Sequence, residues 1–207
     1  MFSWLSNKEK VIYYDFETTG LNQYHDKIIE YSFIKEKEEN KEKEIFSSLV
    51  NPECKLKTKI INITKITDEM LENKNPMWQH VSKIIKFIDA DYGIKYLIAH
   101  NNDGFDKIIL FNTLKKFDYD CKNFTNWKFI DTLLLAKKLL PELNSFSLKS
   151  LCEHFNIKVS GAHRATEDTK MVRKLYHALC IQLAPKLNTN YESLISNPSL
   201  VYNYLYC

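Results

Sequence analysis

The chain has 207 residues, of which 44% are hydrophobic and 27% are charged. This is the composition of an ordinary globular protein, and the chain is long enough to bury one sizeable core. Its formal net charge of +3 is small, so charge alone does not indicate a strongly basic nucleic-acid-binding surface. Five scattered cysteines without a Cys-x-x-Cys pair argue against a disulfide scaffold or a zinc site and favour a reducing, intracellular environment.

The first residues lack the apolar run of a signal peptide, and no later segment is long enough to span a membrane. We therefore expect an intracellular protein without a membrane partner. Because there is no internal repeat and no linker rich in Pro, Gly or Ser, the simplest expectation is a single domain over residues 1–207. Its core is expected at about residues 9–184, followed by a helical tail at about residues 188–207.

The first half of the chain predicts three strands in succession. Residues 11–20, Val-Ile-Tyr-Tyr-Asp-Phe-Glu-Thr-Thr-Gly, are rich in β-branched and aromatic side chains and end at a glycine. Two more strands are predicted at residues 27–35 and 45–50. The charged run at residues 35–44 has mixed signs, which is typical of a solvated hairpin turn rather than a functional tail. Three such strands predict an antiparallel meander.

The second half alternates helices with two short buried strands, predicted at residues 96–99 and 127–130. Asp131 and Ser147 are predicted to cap the helices that follow them. The expected helices span residues 67–71, 77–90, 104–117, 132–140, 147–155 and 164–184, with one or two more in residues 191–207. This order predicts an α/β fold with a mixed central sheet, three antiparallel strands plus two further strands, flanked by helices.

The first candidate site is the pair Asp15 and Glu17 within the first strand. Alternate residues of a strand point to the same face, so these carboxylates project side by side, roughly 6–7 Å apart at their Cα atoms. Two like charges on an apolar strand repel each other and lose hydration. One or two divalent cations would remove that cost. The alternative is a strand end at which both carboxylates reach water.

The second candidate is Asp106, which follows a buried strand and a glycine-containing loop. Ligands gather at such strand ends in open α/β sheets. Asp106 opens a helix and shares its inward face with Leu110, Thr113 and Phe117. An inward carboxylate needs a partner, although an acidic residue in a first turn also stabilises a helix without any ligand. We expect the neighbouring loop residue Asp103 to bond nearby backbone amides instead.

The third candidate is Asp168, the one charge on an otherwise apolar helical stripe. That stripe contains Met171, Val172, Leu175 and Leu179. His163 lies just before this helix, and imidazole is the side chain whose unperturbed pKa suits accepting a proton near neutrality. Inward carboxylates on three different elements, together with this histidine, are far more specific than any one of them.

These segments together resemble the three motifs of the DEDDh (DnaQ-like) 3′→5′ exonuclease family. The matching text is Asp-Phe-Glu-Thr-Thr-Gly at residues 15–20, the block at residues 99–106, and His-x-x-x-x-Asp at residues 163–168. The motifs occur in the family's order, and the resemblance extends from about residue 11 to about residue 183. The second motif has one residue more between His100 and Asp106 than the bacterial proofreading pattern. This longer form is similar to the TREX-like branch.

The resemblance implies an RNase H-like fold and a metal-dependent phosphodiesterase. It implies that Asp15, Glu17, Asp106 and Asp168 are catalytic and hold two Mg²⁺ ions, with Mn²⁺ as a substitute, around the scissile phosphate. It also implies that His163 is the general base. The residues expected to contact substrate are Thr18 and Thr19 at the terminal 3′-OH, Leu21 and Phe105 against the last bases, and His100 and Asn101.

The implied reaction releases nucleoside monophosphates from single-stranded or frayed DNA 3′ ends. The length of the loop between His100 and Asp106 is the one feature that favours DNA over RNA. An exoribonuclease of the same family therefore remains an alternative. A non-catalytic nucleic-acid-binding protein with a decayed site is disfavoured because all five motif residues are present. A sheet-based phosphatase or polymerase fragment does not require His-x-x-x-x-Asp. Whether the aromatic tail packs internally or joins two subunits of a homodimer also stays open.

Overall fold

The computed structural model describes residues 9–36, 43–158 and 163–207. Within these ranges five strands form one sheet: β1 (Lys10–Thr18), β2 (Ile28–Glu36), β3 (Lys43–Leu49), β4 (Lys95–Ala99) and β5 (Trp127–Asp131). Their spatial order is β3-β2-β1-β4-β5. The pairs β1–β2 and β2–β3 are antiparallel, whereas β1–β4 and β4–β5 are parallel. The predicted mixed sheet is therefore confirmed, while residues 37–42 of the predicted charged turn lie outside the described ranges.

Helices occupy most of the remaining described chain. The α-helices there are α1 (Thr58–Thr64), α2 (Asp68–Glu72), α3 (Val81–Ile88), α4 (Asp106–Lys116), α5 (Thr132–Leu139), α6 (Leu148–His154), α7 (Ala165–Leu183), α8 (Tyr191–Ser196) and α9 (Ser199–Tyr206). Short 3₁₀ turns cover Met77–Gln79, Cys121–Asn123 and Ala184–Leu187. The predicted caps are confirmed, since Asp131 accepts from the amide of Leu133 and Ser147 from that of Ser150.

The predicted helices are wrong in two places. Helix α1 is missing from the prediction, because its β-branched residues have low intrinsic helix propensity. It forms where Ile60 and Ile61 pack on a small apolar cluster that includes Leu56 and Ile66. The helix expected at residues 77–90 is instead a 3₁₀ turn followed by α3. The two meet at His80, whose buried ring bonds to the hydroxyl of Tyr31 at 3.0 Å.

The two faces of the sheet carry separate apolar layers, and β1 contributes to both. Ile12, Tyr14 and Phe16 point into the layer that includes residues of α3 and α4. Tyr13 points the other way, into the layer built on α7, and its ring meets Tyr176 edge-on with centroids 5.9 Å apart. Because side chains alternate along a strand, the odd-numbered residues that follow Tyr13 face the α7 side of the sheet.

The tail packs against the rest of the chain. Leu194 of α8 and Val201 of α9 are fully buried in the same layer as α7. Tyr202 meets the ring of Tyr96 edge-on, and the Tyr206 hydroxyl donates to Asp103 Oδ2 at 2.8 Å. In this structure the aromatic tail thus packs internally. None of the helices in the described part of the chain combines the length and the apolar character needed to cross a membrane.

Candidate active site

The end of β1 brings three carboxylates together. Asp15 and Glu17 lie on the α7 face of the sheet, two and four residues beyond Tyr13. Asp168 enters the same space from the first turn of α7. Each of Asp15, Glu17 and Asp168 offers one carboxylate oxygen, and these oxygens lie within 4.8 Å of one another. This spacing suits a shared divalent cation, because hard cations of this kind prefer carboxylate oxygens.

Asp106 approaches the same region from the other side of β1. It is 4% exposed and is the first residue of α4, as its predicted inward orientation requires. The backbone of Phe16, which stands between Asp15 and Glu17, counteracts part of the rise that burial causes in the pKa of Asp106. Its Oδ1 atom is buried and has no hydrogen-bond partner among the described residues. Asp106 lies outside the group of three carboxylates whose oxygens are within 4.8 Å of one another. Its place beside that group suits a ligand of a second cation.

Asp168 is oriented by the turn that precedes α7. The backbone amide of His163 donates to Asp168 Oδ2 at 3.1 Å, while Oδ1 is buried without a partner in the described part of the chain. His163 has a φ of 66°, in the left-handed region that non-glycine residues seldom occupy, and its side chain is exposed. The structure therefore brings His163 beside Asp168, as its spacing in the sequence predicts.

The start of α7 is anchored to the sheet by an ion pair that sequence reasoning missed. Arg164 donates to Glu30 through Nη2 at 2.8 Å and through Nε at 3.1 Å. The amide of Ala165 donates to the same carboxylate at 2.9 Å. Glu30 is 5% exposed and lies opposite Glu17 in the β1–β2 pairing. A lone glutamate inside the apolar strand Ile-Ile-Glu-Tyr-Ser-Phe was the available signal for it.

Buried polar side chains hold the loop between β4 and α4. Asn102 is fully buried, donates to the carbonyls of Leu97 and Ile130 at 3.0 Å each, and accepts from the Tyr14 hydroxyl. Asp131 accepts from the amides of Asn101 at 3.0 Å and Asp103 at 3.1 Å, in addition to capping α5. These bonds satisfy the groups that an irregular loop leaves open, and they fix the position from which α4 and Asp106 start.

Burial and mutual repulsion raise the pKa of each carboxyl group in the site. Burial is the largest cause of the raised pKa of Asp15, followed by the charges of Asp106, Asp168 and Glu17. Burial, followed by the charge of Asp168, raises the pKa of Glu17 to about 8. Burial also raises the pKa of Asp106 and takes that of Asp168 to about 6. The site thus favours whatever neutralises these groups, either protons or bound cations.

The predicted contacts for the 3′ end lie just past the cluster, where the β1–β2 register shifts after Glu17. The Thr18 hydroxyl donates to the carbonyl of Gly20. The Thr19 hydroxyl donates to Asp26 Oδ1 at 2.8 Å and accepts from the Lys27 amide at 3.0 Å. A Cβ on Gly20 would lie 2.4 Å from the Asp26 carboxylate, which would have to move away from its bonds to Thr19 and Asn22.

The predicted base contacts differ in how accessible they are. Leu21 is 82% exposed, Phe105 is half-buried at the start of α4, and Asn101 is exposed with a φ of 63°. His100 is not presented in the same way, because both of its ring nitrogens are engaged inside the protein. Nδ1 bonds to the hydroxyl of Thr132 at 3.0 Å and Nε2 to the carbonyl of Phe146 at 2.9 Å.

Asp103 lies in the same loop but is held away from the cluster. Its Oδ1 pairs with the ammonium of Lys107 at 3.1 Å, and its Oδ2 accepts from Tyr206. It also contributes its backbone amide to Asp131. The expected bonds from the Asp103 side chain to nearby backbone amides are not found in the described part of the chain, because its two carboxylate oxygens are engaged by Lys107 and Tyr206 instead. Asp106 is the buried carboxylate with an oxygen that lacks a partner among the described residues.

Comparison with known proteins extends this picture. A family model described as exonuclease (RNase_T) matches residues 12–176. The chain is 33% identical over 187 residues to the PolC-type DNA polymerase III of Oceanobacillus iheyensis, covering 90% of this chain and 12% of that protein. It is 32% identical over 193 residues to the Bacillus subtilis protein of the same name, covering 93% and 13%. The chain therefore spans a small part of the length of these relatives.

Solved structures show the same fold. The zinc-bound complex of Escherichia coli ExoI with single-stranded DNA has a TM-score of 0.74 at 22% identity, covering 90% of this chain and 43% of that chain. Exonuclease I from Methylocaldum szegediense has a TM-score of 0.71 at 20% identity, covering 91% and 43%. The RNase H-like fold implied by the sequence motifs is confirmed. The matched residues 12–176 contain all three carboxylate motifs, and the chain belongs to the DEDDh (DnaQ-like) 3′→5′ exonuclease family.

Proposed function

We propose that this chain is an exonuclease domain that removes nucleoside monophosphates from the 3′ ends of DNA with divalent metal ions. The observation that carries the proposal is the approach of Asp15, Glu17 and Asp168 to within 4.8 Å, with Asp106 buried beside them. Buried carboxylates that have raised pKa values, and whose oxygens lack partners among the described residues, favour a site built for cations rather than for water. An enzyme acting on DNA ends would work inside the cell.

Two Mg²⁺ ions, or Mn²⁺ in their place, are the ions that fit these ligands. All of the donors are carboxylate oxygens, which suit hard divalent cations, and no soft cysteine or imidazole ligand is among them. Asp15, Glu17 and Asp168 would hold one ion, and Asp106 with Asp15 would hold the second. When bound, such a pair of ions activates an attacking water and stabilises the charge on the leaving 3′ oxygen.

His163 would accept the proton of the attacking water. Its side chain is exposed, and its backbone amide is tied to Asp168, so the imidazole is tethered beside the carboxylate cluster. Neutral imidazole is well suited to this role near pH 7. The exposed position leaves room for a strand end to enter before the proton is transferred.

The substrate end would lie against the β1–β2 turn. A hydroxyl that donates to the protein keeps lone pairs that can accept from a terminal 3′-OH, as Thr18 and Thr19 would do. Leu21 would wedge against the last base and Phe105 would stack on it, with Asn101 as a polar contact. We assign His100 a supporting role, because a substrate contact would break one of its internal bonds.

DNA is the better supported substrate class. The relatives are named as DNA polymerases, and one structural neighbour was solved with single-stranded DNA.

We test the preference for DNA with 5′-labelled DNA and RNA strands of one sequence, incubated with Mg²⁺, Mn²⁺ or EDTA. We expect DNA to shorten from its 3′ end with metal and to stay intact with EDTA. Asp15→Asn should remove nearly all of this activity, whereas Asp118→Asn, an equal charge change at an exposed residue, should not. Faster RNA shortening would indicate an exoribonuclease.

Glu17→Gln should change how stability depends on pH. The pKa of Glu17 rises from 4.5 to about 8 on folding, so the folded chain holds this proton more tightly than the unfolded chain. Metal-free stability should therefore fall as pH rises from about 4.5 to about 8, and Glu17→Gln should reduce that fall. In a chain of this size each kcal/mol corresponds to about 2–4 °C in Tm.

Thermal unfolding in EDTA, followed by circular dichroism at several pH values, measures this effect. Mg²⁺ should raise the Tm of the wild type at pH 8 more than that of Glu17→Gln. The exposed Glu153→Gln is the matched control. Identical pH slopes for wild type and Glu17→Gln would show that Glu17 is not held in a strained, charged cluster.

Replacing His163 should impair catalysis more than binding. We choose His163→Asn because asparagine tolerates the left-handed backbone that this position adopts. Loss of a general base typically costs about 10²–10⁴ in turnover. Single-turnover rates with Mg²⁺ and affinities measured with Ca²⁺ separate the two effects. A variant that loses mainly affinity would make His163 a phosphate contact instead.

The aspartates of the second motif should differ sharply. Asp106→Asn removes the negative charge of a carboxylate whose Oδ1 atom lacks a partner among the described residues. Metal-dependent cleavage should therefore fall by more than about 10²-fold, which is the effect of losing one group that stabilises charge in the transition state. Asp103→Asn keeps an oxygen that can accept from Tyr206 and should leave turnover within a few-fold of the wild type. Cleavage rates are compared on variants with equal Tm. The reverse ranking would place the ligand in the loop.

A further inference from the structure

A cleft of about 160 Å³ lies beside the β1–β2 turn, outside the carboxylate cluster. We call it the turn cleft. Its walls come from the turn itself, from the segment after β3, from the 3₁₀ turn before α3 and from the exposed side of α4. The lining residues that matter here are Tyr24, Lys27, Trp78, Asn112 and Lys116. None of them is used by the reaction described above.

Two large aromatic side chains of the turn cleft are held out in solvent. Tyr24 is 74% exposed and Trp78 is 60% exposed. Apolar side chains of this size contribute most when they are buried, so placing both on one concave surface indicates a binding role. Exposed aromatic faces stack on nucleobases of any sequence, because every base has a π-face.

The charges of the turn cleft suit a phosphate backbone. Lys27 and Lys116 line it, and His25 stands nearby. Among its acidic residues, Asp26 is already bonded to the hydroxyl of Thr19 at 2.8 Å and to the amide of Asn22 at 2.7 Å. Glu53 is left as an exposed acid at the rim. Lysines beside stacking aromatics are the combination by which proteins hold single strands.

Hydrogen bonds fix the walls of the turn cleft relative to one another. The Asn112 side chain donates to the carbonyl of Gln23 at 3.0 Å, which ties α4 to the turn. The Lys27 ammonium donates to the carbonyl of Pro52 at 2.6 Å. The amide of Asn51 donates to the carbonyl of Asn75 at 3.1 Å, close to Trp78 in the chain. A preformed cleft loses less conformational entropy when a ligand binds.

The β1–β2 turn links the turn cleft to the candidate active site. Asp26 lines it and also holds Thr19, which is two residues past Glu17. Leu21, the exposed residue expected at the last base, belongs to the same turn. A strand whose 3′ end lies at the carboxylates and crosses this turn would reach the turn cleft with its next nucleotides.

We propose that the turn cleft binds unpaired nucleotides upstream of the scissile bond, with Tyr24 and Trp78 stacking on bases and Lys27 and Lys116 meeting phosphates. This subsite rests on the proposed exonuclease function and adds a preference for substrates with a single-stranded stretch of several nucleotides. Such a preference would let the enzyme act on frayed ends while leaving fully paired ends largely untouched.

The test compares Tyr24→Ala and Trp78→Ala with Tyr92→Ala, which removes an aromatic ring that is 98% exposed near the start of β4, at the opposite end of the sheet. One substrate is a 5′-labelled single-stranded DNA decamer. The other is the p-nitrophenyl ester of thymidine 5′-monophosphate, which is too short to reach the turn cleft. We expect each cleft variant to raise the KM for the decamer about 5- to 100-fold. Ester hydrolysis and the Tyr92→Ala variant should match the wild type.

An unchanged KM for the decamer, or an equal loss with the ester, would overturn the subsite. A blunt duplex of the same labelled decamer serves as a further substrate, and a loss confined to that duplex would also overturn the subsite, because the cleft would then take the complementary strand. The outcome stays separate from that of the proposed function. If the wild type does not shorten the decamer with Mg²⁺, the exonuclease proposal fails, and the anisotropy of the labelled decamer bound to wild type and Trp78→Ala still decides the subsite.

Discussion

The repulsion among the carboxylates of Asp15, Glu17, Asp106 and Asp168 is the constraint around which this structure is arranged. Each is at least partly buried, and each has a pKa raised by burial and by neighbouring charge. Bringing such groups together opposes folding unless cations or protons bind. The cluster therefore lowers the stability of the metal-free fold, and the same negative charge attracts divalent ions.

The surrounding fold supplies what is needed to hold these groups in place. The sheet sets the side-by-side direction of Asp15 and Glu17, and the Glu30–Arg164 pair locks the start of α7 so that Asp168 meets them. On the other side Asn102 and Asp131 bind the loop before α4. Arg164 also neutralises Glu30, so that this carboxylate supports the cluster without adding another uncompensated charge to it.

Several polar residues near the site serve the scaffold. His100 uses both ring nitrogens to join the end of β4 to α5 and to the segment before α6. The hydroxyl of Thr19 closes the β1–β2 turn through Asp26. The same turn therefore contributes to two regions. It holds the end of β1 on one side and lines the turn cleft on the other. A strand end bound at the cluster would contact both.

The sequence alone determined the strands, the helix caps at Asp131 and Ser147, and which four carboxylates to consider for the candidate site, because alternation, helical spacing and capping are local properties of a few neighbouring residues. Glu17 follows from strand alternation and Asp168 from helical spacing. Only the tertiary structure decided the Glu30–Arg164 ion pair, the bonds from Asp131 to the loop before α4, the internal bonds of His100 and the turn cleft. Each joins residues from separate parts of the chain, such as Glu30 and Arg164, which are 134 positions apart. Contacts of this kind depend on how the sheet and the helices pack. They cannot be predicted from the periodicity of residues within one segment.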